Sequence, residues 1–90
     1  MSAILAFQEA LLLKPDDVQI KYQLGVAYME VGDCNIAAQF FEEYVAQNSN
    51  DEIAFFLLGK CYFETSDYPA ALLALQRANG LSRNDHRMLY

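Results

Sequence analysis

A chain of 90 residues with 54% hydrophobic side chains and a formal net charge of −6 is one small folded domain, not a disordered segment. The charge is uneven: residues 1–67 hold 11 acids and 3 bases, whereas residues 68–90 hold one acid and three arginines. Nucleic-acid binding needs Lys and Arg to displace counterions and a membrane span needs ~18 consecutive apolar residues, so both are expected to be absent here.

The opening stretch, MSAILAFQEALLL, lacks the basic start of a secretory leader and carries Glu9, so it reads as a helix over 2–13. Pro15 ends it, and Asp16 three residues before Gln19 resembles a capping box for the next helix, 18–31. Leu24, Gly25 and Tyr28 share one face of that helix. Gly32 suits the left-handed position after a helix, and Asp33 is expected to cap the next, 35–48, whose inner face carries Ala37, Phe40, Phe41 and Tyr44. A fourth helix spans 52–65. Ser66 takes the place of the turn glycine, which predicts a mildly costly backbone conformation, and Pro69 falls in the first turn of a fifth helix over 69–79. Asn79-Gly80 is expected to end that helix, and 86–90 is too short to nucleate another.

The chain repeats itself. Shifted by 34 positions, Leu24-Gly25 falls on Leu58-Gly59, Tyr28 on Tyr62, Glu30 on Glu64, Asp33 on Asp67 and Ala37 on Ala71. A fixed period of this size marks stacked supersecondary units, each burying the face of the last. The register divides the chain into 1–17 (the second half of a preceding repeat), 18–51 and 52–85 (full repeats) and 86–90 (the start of a further one).

Leu24-Gly25-x2-Tyr28 with Ala37-x3-Phe41, and Leu58-Gly59-x2-Tyr62 with Ala71-x3-Leu75, resemble the tetratricopeptide repeat family, whose pattern is W-x2-L-G-x2-Y, A-x3-F and a closing P. Ala3-x3-Phe7-x2-Ala10 followed by Pro15 is similar to the second half of an earlier copy. The usual Trp is replaced by Lys21 and Phe55, and the closing Pro by Ser49 and Arg83. The resemblance implies an all-α, right-handed superhelical solenoid of antiparallel helix pairs, with the first helix of each repeat lining a concave surface that binds peptides or partner helices. The glycines let one helix approach the next, and Ala37 and Ala71 receive that approach.

Catalytic groups are not gathered by the pattern. His86 falls in a connector by the register, and no nucleophile is placed to use it. The acid pairs Asp16-Asp17, Glu42-Glu43 and Asp51-Glu52 are neighbours in sequence, and on a helix such neighbours point 100° apart. Two cysteines and one histidine do not complete a four-ligand zinc site, and no glycine-rich phosphate loop is present, so no enzyme, metal or cofactor is expected. Cys61 reads as a small core residue at the place of Ala27, and Cys34 as a turn residue open to oxidation. Two unpaired thiols fit a reducing compartment, hence a cytoplasmic location.

The first helices are not polar on their outer side. Tyr22, Val26 and Met29 lie together opposite Leu24 and Tyr28, and the next copy carries Ile53, Phe56, Lys60 and Phe63 there. These seven residues are the expected partner-binding set, with Tyr22, Phe56 and Tyr90 equivalent in register. One subclass of the resembled family grips chaperone C-terminal carboxylates with Lys and Asn; Tyr22, Val26 and Leu57 stand where that clamp would be, so carboxylate capture is not expected. Lys60 is the groove's cation, with Glu30 and Glu64 at its rim, so an apolar segment with basic flanks fits the charge. The alternative is a structural spacer or self-assembling segment of a longer solenoid, joined head to tail through apolar ends that include Leu5, Leu12, Leu72, Leu75, Met88, Leu89 and Tyr90.

Overall fold

The computed structural model describes residues 3–87, and side chains as far as Gly80. Five helices follow one another: α1 (Ala3–Leu13), α2 (Val18–Glu30), α3 (Cys34–Gln47), α4 (Glu52–Glu64) and α5 (Tyr68–Arg87). Each packs on its successor. Connections of three or four residues make them antiparallel neighbours, and among the described residues there is no strand. The result is elongated, with extents of 47 × 27 × 20 Å, as expected of an all-α repeat solenoid.

The two turns inside the repeats are built alike. After α2, the Gly32 N–H donates to the Met29 carbonyl (3.0 Å) and the Asp33 N–H to the Tyr28 carbonyl (2.8 Å). After α4, Ser66 donates to Phe63 (3.1 Å) and Asp67 to Tyr62 (2.8 Å). This paired closure places one residue in the left-handed region, Gly32 at φ 87° and Ser66 at φ 66°. Ser66 therefore holds the strained conformation that its position predicted.

Three expectations about helix ends need correction. Asp17, not Asp16, caps α2, accepting from the N–H groups of Gln19 (3.0 Å) and Ile20 (3.4 Å). Asp33 occupies the cap position of α3, but its side chain makes no cap bond; the backbone closure just described already fixes the turn. Finally, Asn79-Gly80 does not end α5, which runs on to Arg87, so His86 lies on a helix and not in a connector. A helical glycine costs only about 1 kcal/mol relative to alanine, and Arg83 replaces the proline that would have stopped the helix. Gly80 has open space around it and no left-handed backbone, so it serves neither as a close-approach residue nor as a cap. Residues 1, 2 and 88–90, including the expected terminal side chains Met88, Leu89 and Tyr90, lie outside the described residues.

The core runs through the junctions of the helices. Leu24, Ala37, Phe41, Ala54 and Cys61 have no exposed surface, and a buried cluster of Ala37, Ala38, Phe41, Leu58, Cys61 and Ala74 joins α3, α4 and α5. The repeat glycines set the spacing. A Cβ on Gly25 would stand 2.8 Å from the Phe41 ring, and one on Gly59 would stand 2.8 Å from Leu75. Phe41 and Leu75 are themselves 34 positions apart, so each first helix is wedged by the same position of its second helix. The alanines at 37 and 71 are buried, but the side chain that meets the glycine is one helical turn further on, at Phe41 and Leu75.

The tyrosines of the repeat reach backwards. The Tyr28 hydroxyl accepts from Gln8 Nε2 of α1 (2.8 Å), and the Tyr62 hydroxyl donates to Glu42 of α3. Gln8 and Glu42 share a register position. Burial, followed by the Glu42 carboxylate, raises the Tyr62 phenol well above its ordinary value. Each repeat is thereby tied to the one before it.

Candidate interaction surface

The seven predicted contact residues sit on α2 and α4, and the structure divides them. Ile53, Phe56, Lys60 and Phe63 are exposed on α4, with Ile53, Phe56 and Phe63 more than half accessible. Their spacing places them on one side of the helix. Tyr22, Val26 and Met29 are half-buried on α2 and pack against the core cluster.

Tyr22 shows why. Its ring meets Phe41 edge-on at 5.6 Å and lies tilted against Tyr44 at 4.9 Å. Tyr44 in turn donates to Asp51 Oδ2 (2.8 Å), while Asp51 Oδ1 caps α4 by accepting from the Ala54 N–H (3.1 Å). Burial and then the nearby Asp51 carboxylate raise the phenol of Tyr22, whereas at Tyr44 the hydrogen bond to Asp51 is the largest cause of the rise. Thus one carboxylate caps the helix of the second repeat and braces the aromatic pair of the first.

At the equivalent place on α4, Phe56 lines a notch of about 320 Å³ with Ile53, Glu52, Leu75, Ala78 and Asn79. Leu75 and Ala78 occupy the register positions of Phe41 and Tyr44. Smaller side chains there leave the Phe56 ring uncovered. A second depression, of about 490 Å³, brings together Met29 of α2 and Lys60 of α4, beside Cys34, Asn35 and Glu64. Glu64 stands with Lys60 there; Glu30 is exposed and is not among the residues lining this depression.

One aromatic of this face was missed by the sequence reading. Tyr68, 57% exposed at the start of α5, meets Phe63 edge-on at 5.4 Å and extends the aromatic surface across the turn. Its register partner is Cys34, so the repeat gave no sign of it. The two positions of the absent tryptophan contribute structure instead. Lys21 bridges to Glu43 at 3.0 Å, and Phe55 is buried with Arg77 over its ring at 5.2 Å. Among the described residues no group of three or more His, Cys, Asp or Glu side chains could hold a metal ion, and no helix is long and apolar enough to cross a membrane.

Comparison with known proteins agrees with this architecture. The family model described as Tetratricopeptide repeat matches residues 1–52 and 22–86. The crystal structure of MamA superimposes with a TM-score of 0.83 at 33% sequence identity, over 88% of this chain and 46% of the MamA chain. The present chain therefore spans about half the length of that relative.

Proposed function

Because this chain belongs to the tetratricopeptide repeat family, whose repeats generally mediate protein–protein interaction, we propose that it is a non-catalytic binding module whose α4 face holds an apolar segment of a partner protein. The observation that carries this reading is the run of Ile53, Phe56 and Phe63, joined by Tyr68, left open on one side of a small folded unit. Large aromatic side chains of this kind dominate binding energies when a partner covers them. Lys60 and Glu64 flank the apolar run, and the body of the chain is acidic, so a segment with basic flanks is steered toward it. Tyr22, Val26 and Met29 supply the inner wall of the same surface, contributing shape more than accessible area.

Titration calorimetry with an amphipathic apolar peptide carrying lysines at both ends tests the proposal. Phe56→Ala is expected to weaken binding by about 1 kcal/mol or more without altering the helical circular dichroism. Undiminished binding would remove Phe56 from the contact.

A second reading, a self-assembling or spacer segment of a longer solenoid, rests on a different observation. Leu12 and Leu13 of α1 are 81% and 84% exposed, α1 has no buried residue, and Leu72 and Leu73 of α5 are also exposed. Head-to-tail stacking of such ends is heterologous and grows with concentration. Sedimentation over a hundredfold dilution distinguishes it: association that Phe56→Ala leaves intact belongs to the ends, not to the α4 face.

A further inference from the structure

Two cysteines lie where the first repeat joins the second. Cys34 is the first residue of α3, immediately after the turn, and it is partly exposed along the wall of the 490 Å³ depression. Cys61 lies in the last turn of α4 with no exposed surface. Cys34 packs against the cluster that contains Cys61, and it lines the depression together with Lys60 and Glu64, the α4 residues on either side of Cys61. Both are free. In the register Cys34 aligns with Tyr68 and Cys61 with Ala27, so neither cysteine belongs to the repeated pattern. The repeat accounts for a small residue at 61 but gives no reason for a second sulfur beside it.

We propose that Cys34 and Cys61 are a reversible dithiol–disulfide pair, oxidised by hydrogen peroxide that enters through the depression between Met29 and Lys60. The Cys34 sulfur, the accessible one, attacks a peroxide oxygen as its thiolate; the S–O bond forms, the O–O bond breaks, and the departing oxygen leaves as water after taking a proton. The Cys61 sulfur then attacks the resulting sulfenic acid. An S–S bond forms, the S–O bond breaks, and the Cys61 proton leaves with the hydroxyl as a second water. The two thiols together lose two electrons and the peroxide gains them, so no further reactant is needed.

The order of events follows from access. Burial pushes the Cys61 thiol up to about 12, and the adjoining Cys34 thiol adds to the rise. Such a thiol is protonated and closed to solvent, so it does not meet the oxidant first. The bond links the first residue of α3 to α4 and closes all of α3 inside its loop, which restricts the unfolded chain and raises the melting temperature of the oxidised form.

The test is to treat the reduced 90-residue chain with hydrogen peroxide, block remaining thiols, and map peptides by mass spectrometry without reductant. The expected result is a monomer lighter by two hydrogens, with Cys34 and Cys61 joined, restored by dithiothreitol and melting higher than the reduced chain. Cys61→Ala, which installs the residue of the equivalent position in the first repeat, should leave Cys34 as a dimedone-reactive sulfenic acid. Cys34→Ala should leave Cys61 unmodified under the same conditions. Disulfide-linked dimers, oxidation of the unaltered chain that stops at Cys34, or two unreacted thiols would each overturn the proposal. The peptide map of the unaltered chain decides the matter even if a variant fails to fold.

Discussion

The outer faces of α2 and α4 occupy the same positions of one repeat, yet one is half-buried and the other open. Tyr22 rests on Phe41 and Tyr44, and Asp51, the last residue of the same repeat and the cap of α4, braces that pair. Phe56, its equivalent, has Leu75 and Ala78 beside it in the notch where Tyr22 has Phe41 and Tyr44, and is 54% exposed. The register thus fixes the direction in which a side chain leaves its helix. The bulk of the second helix, Phe41 and Tyr44 against Leu75 and Ala78, goes with whether that side chain is half-buried or exposed. In this chain the first repeat has spent its aromatic face on stability, while the second has kept it accessible.

If that contrast is correct, truncating the two aromatics should separate stability from binding. Tyr22→Ala removes a ring held by two others and is expected to cost about 2–4 kcal/mol. Phe56→Ala should cost less than about 1 kcal/mol in stability, because most of its surface is already in water. Urea unfolding of both variants gives the comparison, and equal losses would erase it.

A smaller difference is expected at the glycines. Gly25→Ala drives a methyl group into the fully buried Phe41 ring, whereas Gly59→Ala meets Leu75, a flexible side chain 36% exposed. Overpacking of the first kind costs about 1–3 kcal/mol, partly offset by the roughly 1 kcal/mol that alanine gains over glycine in a helix. Thermal melts should therefore show Gly25→Ala destabilised and Gly59→Ala close to neutral. The backbone carbonyl of Ala71, 3.3 Å from the Gly59 Cβ position, limits larger substitutions there, so Gly59→Leu should still unfold the second repeat.

The cap positions give the smallest contrast. Asp51→Ala loses both its bond to the Ala54 N–H and its acceptance from Tyr44, at about 1–2 kcal/mol. Asp33→Ala, at a cap whose side chain makes no such bond, should change stability by under about 0.5 kcal/mol. Chemical denaturation of the pair measures the difference.

These residues also show what the sequence could and could not reveal. The 34-residue period is carried by backbone requirements, namely a close approach at Gly25 and Gly59 and a left-handed turn at Gly32 and Ser66, so it is visible without coordinates. Helices α1 to α4 accordingly begin and end within one residue of their expected bounds over the described residues. The end of α5 was misread because a glycine suggests a stop only when the backbone turns left-handed, and Gly80 does not. The burial of Tyr22 was not legible either. It depends on Tyr44 and Asp51, neither of which belongs to the family's pattern. The Phe63–Tyr68 pair crosses a turn into a position that the repeat leaves unconstrained.

The central claim, that the α4 face and not its α2 counterpart receives the partner, is tested most directly by residue-resolved NMR. The isotope-labelled chain would be titrated with a lysine-flanked apolar peptide while its backbone amide and aromatic signals are followed. The account predicts that the largest shifts fall on Ile53, Phe56, Lys60, Phe63 and Tyr68 and require several-fold more peptide in Phe56→Ala. Shifts confined to Tyr22, Val26 and Met29, or to the exposed leucines of α1 and α5, would contradict it.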